Sequence, residues 1–480
     1  MDKLDEKVQK NRVTRLLTSH TALAFCYGIF LLLYEVKFLL ETVPVVHPFL
    51  IAWAGALAVY DVVVRKLWQK LPMWQPLAVF AVLAGITAVV NRQVGLGENL
   101  KVWVLACLPL VAFLPLCLLC KQEKREKTLL VALSGAAAVV CLASFVAVVM
   151  YLLRMELQLE LFGITHMVGF RYYIADDPTS GVLLYGFYTD TNHAAAYAVI
   201  GMVYSLWVLH AHRRRVVGKG MKVFAIVNLA VQACYFPLAN SRGGWLSLAV
   251  AAVICVFLYC YCTRFWEQKT GKRLLLSAVA ACLAVAVLCG GLVLLRSGVS
   301  VVSKALNFSV SVNSGAETPE DEQVSWGEQG ADTFEKTDDG FGAGRLLIWQ
   351  EALTLYGKNP VLGIGPGNST FYAKQHNIGE LLPYGSALHN SYMDLLVDYG
   401  ILGFAALMTF FGYCVWLVLG RFFKAGKRLD GTTHLAAFSV VFLAGVSMFL
   451  SCAFINTTAM YFWMLCALSY LLAQCKDVKA

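Results

Sequence analysis

Long apolar runs, each close to the length of a membrane span and separated by short polar links, limit this chain more than any other feature. There are about twelve, near residues 18–40, 48–64, 73–90, 101–120, 128–153, 191–211, 222–239, 244–262, 274–296, 400–420, 434–453 and 456–474. A bilayer core of roughly 30 Å needs about 20 apolar residues per helix, so the pattern predicts an all-α, polytopic membrane protein. The first run, 18–40, is too long for a signal-peptide core and lacks a small-residue cleavage site. It is read as a retained span.

Composition agrees with that class. Only 14% of residues are charged and 59% are hydrophobic, where a soluble domain carries about a quarter charged. The net charge of +9 is not a nucleic-acid footprint, because the basic residues sit in links between spans, where the positive-inside rule expects them. One set of links holds Arg65, Lys66 and Lys70; Lys121, Lys124, Arg125 and Lys127; Arg213, Arg214, Arg215, Lys219 and Lys222; Arg264, Lys269, Lys272 and Arg273; and Arg421, Lys424, Lys427 and Arg428. The alternate links, such as 41–47 and 455–458, carry almost none. Unbroken alternation puts both termini in the cytoplasm and the long loops outside. Most of the fifteen cysteines lie inside apolar runs, among them the one CxxC pair, Cys117 and Cys120. They read as packing residues, Cys260 and Cys262 included, and no metal is expected.

Four regions follow: an N-terminal transmembrane region, 1–190, ending in an amphipathic outer loop; transmembrane helices, 191–296, with a polar turn between two spans; an extracytoplasmic loop with short helices, 297–399; and C-terminal transmembrane helices, 400–480. Within the long loop, residues 316–340 hold nine carboxylates against Lys336, the composition of a solvated, disordered insertion.

Polar residues with chemical potential cluster on the expected outer side. Arg242 sits in Asn240-Ser241-Arg242-Gly243-Gly244, where a lone cation runs against the charge trend and flanking glycines let a ligand approach. It reads as a fork of donors for a diphosphate, or as a snorkelling interfacial arginine. Arg345 opens an amphipathic helix, although a cation in the first turn opposes the helix dipole. A ligand explains it, or an ion pair with Asp338, Asp339 or Glu351. The turn from Gly363 to Gly367 could offer the N–H groups of Gly365 and Gly367 to phosphate oxygens, or simply turn the chain. His389 and Asn390 precede an apolar segment; Asn390 or Ser391 suits a helix cap, while His389 could accept a proton near neutral pH. Asn192 opens the sixth span, where a cap is the simplest reading.

Taken together, TNHAAAYAV, NSRGGW, GRLLIWQEALTLYGKNPVLGIGPG and HNSYMDLLVDYGILG resemble, in this order and membrane placement, the O-antigen ligase and polymerase family of integral-membrane, GT-C type glycosyltransferases. The likeness runs over residues 186–403. It implies transfer of a glycan from an undecaprenyl diphosphate carrier to a glycan, lipid or wall-polymer acceptor, on the outer face of a bacterial cytoplasmic membrane and without a cofactor. It also implies functional roles for Arg242, Arg345 and His389; Asn390, Gly365, Gly367 and Asn192 are read as their substrate-binding neighbours. The acidic insertion is not part of the pattern. A transporter or lipid-linked sugar flippase is the alternative; it calls for polar residues lining a path at mid-span, and Glu35, Lys37 and Asp61 lie toward span ends.

Overall fold

The computed structural model describes residues 11–35, 46–153, 156–161, 164–171, 183–188, 191–306, 311–312, 345–425, 429–450 and 458–476. In chain order the helices are α1 (Arg12–Leu17), α2 (His20–Glu35), α3 (Val46–Val63), α4 (Trp74–Val90), α5 (Arg92–Phe113), α6 (Pro115–Leu118), α7 (Gln122–Leu153), α8 (Thr191–Arg213), α9 (Lys219–Ala239), α10 (Arg242–Tyr259), α11 (Thr270–Leu306), α12 (Arg345–Tyr356), α13 (Ser369–His376), α14 (Ser391–Ala425), α15 (Gly431–Val446) and α16 (Ala459–Lys476). Eight helical stretches among the described residues are long and apolar enough to cross a membrane. The other four expected spans coincide with shorter apolar helices: His20–Leu33, Trp74–Val90, Gly431–Val446 and Ala459–Cys475. The acidic insertion, 316–340, lies outside the described residues.

Two helices form the centre of the bundle. The most apolar window of Thr191–Arg213 is 83% buried, and α16 packs Trp463, Tyr461 and Tyr470 into the core at about 1% exposure. Small residues make this close packing possible. Ala194, Ala195, Ala196 and Ala198 are all fully buried.

One element departs from the all-α expectation. The loop after α7, read from sequence as amphipathic, forms strands β1 (Glu156–Leu161), β2 (Ile164–Arg171) and β3 (Leu183–Gly186), joined by β4 (Ser311–Val312) in the order β3-β2-β1-β4. The pairing is antiparallel except between β1 and β4. The alternation of ELQLEL in β1 has a period of two, which is a strand signal.

Three basic links meet at one end of the bundle. Arg214 pairs with Glu126 and with Asp430, at 3.2 Å for the latter, and the Thr432 hydroxyl donates to Glu126 Oε1 at 2.5 Å. The spans also contain buried polar groups. Asp61 is fully buried between His20 Nε2 at 2.7 Å and Arg65 Nη1 at 2.8 Å. In α9, Asn228 Nδ2 donates to Gly201 O and Ser205 Oγ, and Gln232 Nε2 donates to Asn228 Oδ1. These groups bond to one another and to helix backbone, so they join helices.

Candidate active site

The link between α9 and α10 is built to hold a tight turn. Asn240 ends α9 at φ 51°, a left-handed conformation that asparagine tolerates better than most residues. Ser241 then caps α10, its Oγ accepting from Gly244 N at 2.9 Å, while its hydroxyl donates to Asn192 Oδ1 at 2.6 Å. Asn192 therefore ties the start of α8 to this turn. Arg242 is the first residue of α10 and is exposed. Behind it, a Cβ on Gly243 would lie 2.7 Å from Phe449 Cγ, and one on Gly244 would lie 2.6 Å from Ala195 Cβ. Both glycines are places of close approach.

Phe449 connects the turn to the second arginine. Arg345 is the first residue of α12, and its Cζ lies 5.8 Å from the centre of the Phe449 ring, within cation–π range. The same helix reaches the His-Asn motif, because Trp349 Nε1 donates to Leu388 O at 3.0 Å. His389 adopts φ 50°, a conformation costing a non-glycine residue about 1–3 kcal/mol and retained where neighbours enforce it. Asn390 is the cap of α14: its Oδ1 accepts from Tyr392 N at 3.0 Å and Met393 N at 3.3 Å. Ser391 does different work. Its N–H donates to Ser447 O at 2.8 Å and its hydroxyl to Leu450 O at 2.5 Å, while the Tyr392 hydroxyl donates to Ala444 O at 2.8 Å. Residues 444–450, at the end of α15, are thus touched by all three motifs: through Gly243 beside Arg242, through Arg345 itself, and through Ser391 two residues after His389.

The glycine turn has a different task. Ile364 N donates to Val397 O at 3.1 Å and Gly365 N to Asp398 O at 2.8 Å. The Gly365 N–H thus donates to the backbone of α14. A Cβ on Gly363 would collide with the Asp398 carbonyl, and one on Gly400, at φ 63°, with that of Val361. The turn fits against the kink in α14. Gly367 is exposed, at φ 79°, with open space around it.

This turn is fastened to the N-terminal half by buried amides. Asn91, Asn99 and Asn368 are 3%, 2% and 4% exposed. Asn368 Nδ2 donates to Asn99 Oδ1 at 3.2 Å and to Ile364 O at 2.8 Å, and Asn99 Nδ2 donates to Asn91 O at 3.0 Å. The Tyr372 hydroxyl donates to Asn91 Oδ1 at 2.5 Å, and the Thr87 hydroxyl to Leu362 O at 2.7 Å. Glu351, a candidate ion partner of Arg345 from sequence, is committed to backbone instead. Its carboxylate accepts from the N–H groups of Glu380, Leu381 and Leu382 at 2.9–3.2 Å.

Sequence reasoning singled out Arg242, Arg345, His389 and Asn390, which approach residues 444–450 through their motifs, but gave no sign of Phe449, Ser447 or the Asn91–Asn99–Asn368 set. Asparagines inside apolar stretches were the available signal for the last. No group of three or more metal-ligating side chains occurs among the described residues.

A Haemophilus influenzae protein described as uncharacterized is 25% identical over 192 residues, covering 39% of this chain and 41% of that protein. The match thus spans about two fifths of each. The family model for O-antigen ligase matches residues 227–408, which hold Arg242, Arg345 and His389. Residues 227–408 are thus similar to the O-antigen ligase family, within a chain that has eight helical stretches long and apolar enough to cross a membrane among its described residues.

Proposed function

We propose that the protein is a membrane glycosyltransferase of ligase or polymerase type. It moves a glycan from undecaprenyl diphosphate to an acceptor hydroxyl on the outer face of a bacterial cytoplasmic membrane. The observation that carries this reading is the convergence of three motifs on residues 444–450. The charge pattern of the links supports an outward-facing site, both termini inside and an even count of about twelve spans.

Arg242 and Arg345 hold the diphosphate. Each guanidinium presents a planar fork matched to phosphate oxygens, and two of them offset the negative charge that grows on the leaving group as the glycosidic bond breaks. The arginines supply the charge that a divalent cation supplies in other transferases. His389 stands at the acceptor hydroxyl, as general base or as orienting hydrogen-bond partner, while the hydroxyl oxygen attacks the anomeric carbon. Direct displacement inverts the anomeric centre. The left-handed backbone at His389 aims the ring independently of the helix that Asn390 starts, and Asn192 steadies the Arg242 turn through Ser241. The lipid tail is already in the bilayer, so burial of its CH2 groups adds little net affinity. Specificity therefore lies with the charged head.

The test is transfer activity of purified protein on a lipid diphosphate donor. Consumption of donor with glycan appearing on an acceptor is the expected result. Movement of the donor between leaflets without transfer would contradict it. Deletion of the gene separates the two acceptor classes: short lipid-linked units left behind mean polymerisation, and long chains stranded on the carrier mean ligation.

A further inference from the structure

The helix α11 is the least buried of the eight candidate spans, with 11% of its most apolar window inside the protein. Leu275, Leu283, Val287 and Leu294 stand on its exposed side. The opposite stripe consists of Leu292, Arg296, Val299 and Ser303, spaced four, three and four residues apart, the spacing of one helix face. Leu292 and Ser303 are each 4% exposed, Val299 packs on the core, and the Ser303 hydroxyl donates to Tyr151 O at 3.1 Å. Arg296 is therefore a cation turned toward the protein on a helix that is otherwise bathed in apolar surroundings.

Its height and its neighbour are informative. At 1.5 Å per residue, Arg296 stands about 39 Å along the axis from Thr270, past the roughly 30 Å hydrocarbon core. There its Nη1 donates to Asn240 Oδ1 at 3.0 Å, two residues before Arg242. A guanidinium has five N–H groups. Among the described residues Asn240 is the one acceptor that Arg296 meets, and no carboxylate pairs with it. Attraction to the C-terminal end of α9 accounts for the direction in which Nη1 points. It leaves the other donors of a half-buried cation, at the level of the headgroups, beside the turn that presents Arg242.

We propose that Arg296 binds a lipid phosphoryl group together with Arg242, as a third guanidinium of the site. The phosphoryl belongs to the carrier diphosphate or to the headgroup of a neighbouring phospholipid, which offer the same chemistry to a guanidinium fork. In the first case the inference rests on the transferase reading above, and the two can fail separately.

The experiment uses the full chain in phosphatidylcholine nanodiscs, titrated with undecaprenyl diphosphate and followed by intrinsic fluorescence. A parallel arm measures retention of phosphatidylglycerol by the purified protein. R296Q should weaken diphosphate binding about tenfold, the loss of a charge-assisted hydrogen bond, with R296K intermediate and R242A weakened independently. R296Q that keeps diphosphate binding but loses phosphatidylglycerol assigns the headgroup as the source and still supports a phosphoryl site. R296Q unchanged in both arms, while R242A loses diphosphate, overturns the role of Arg296 and leaves the transferase reading intact. No loss of binding in R242A, R345A or R296Q removes the diphosphate site altogether. R296K, which keeps the charge and the Asn240 contact, decides the matter where R296Q fails to assemble.

Discussion

The two ends of the bundle treat arginine differently. At the basic end, Arg214 is matched by Glu126 and Asp430 and bonded to Thr432. Burial pushes the Asp430 carboxyl up, but the Thr433 hydroxyl and N–H and the Arg214 guanidinium outweigh it and hold it below its ordinary range. At the other end, Arg345 lies over an aromatic ring, Arg296 meets a neutral amide, and the buried acid Glu351 spends its oxygens on backbone N–H groups. The first end is a clasp whose charges are spent on each other. At the second, Glu351 is held by backbone N–H groups, which fits the proposal that this end receives phosphate.

Substitution should expose that difference. Replacing Arg242, Arg345 or His389 by Ala, with membrane levels confirmed by immunoblot, is expected to lower glycan transfer at least about 100-fold, the usual scale for loss of one preorganised charge or donor. Lys at either arginine should keep part of the attraction and lose the bidentate fork. Activity near wild type in all three Ala variants would erase the contrast.

Gly243→Val tests the hub without touching a charged group. The added side chain must displace Phe449, and a shift of about 1 Å in a reacting group can cost up to about 100-fold. The expected result is a fall in turnover between about 10- and 100-fold with the protein still inserted, measured as initial transfer rate per molecule.

Asn99→Leu or Asn368→Leu cuts the link between the glycine turn and the N-terminal half. Leaving a buried amide unpaired costs about 1–3 kcal/mol, which should show as earlier thermal unfolding and protease entry at residues 363–368. Turnover should fall by less than in Gly243→Val. An unchanged melting profile would mean that the turn is held from elsewhere.

Arg214→Gln should do least. The expected effect is a lower melting temperature, since the buried Glu126 loses its charge partner, with transfer retained. A depressed folded pKa stabilises above the ordinary carboxylate value, so the wild-type advantage is present at pH 7. It disappears as pH falls below about 4. Lost transfer in Arg214→Gln would show that the basic end, too, serves the reaction.

Much of this was readable from sequence, for physical reasons that differ by residue. Apolar runs must match bilayer thickness, so the helices fall where run length puts them. Arg242 and Arg345 stood out because a cation in a link expected outside, or in a first helical turn, runs against the charge trend or the helix dipole. Phe449 did not, since a phenylalanine beside an apolar run looks like every other. The Asn368–Asn99 bond joins residues 269 positions apart, and no local pattern records such a pair. At Gly365 the sequence is silent on the choice, because a glycine needed for φ 81° and contact with Asn368 looks the same, on paper, as one that admits a phosphate.

The most direct measurement is a cryo-electron microscopy map of the protein in nanodiscs with undecaprenyl diphosphate bound. The diphosphate is expected within hydrogen-bond distance of both Arg242 and Arg345, beside residues 444–450, with His389 facing the position of the sugar. Density for the diphosphate at the basic end, or a bound state in which the two guanidinium groups do not share it, would contradict the site.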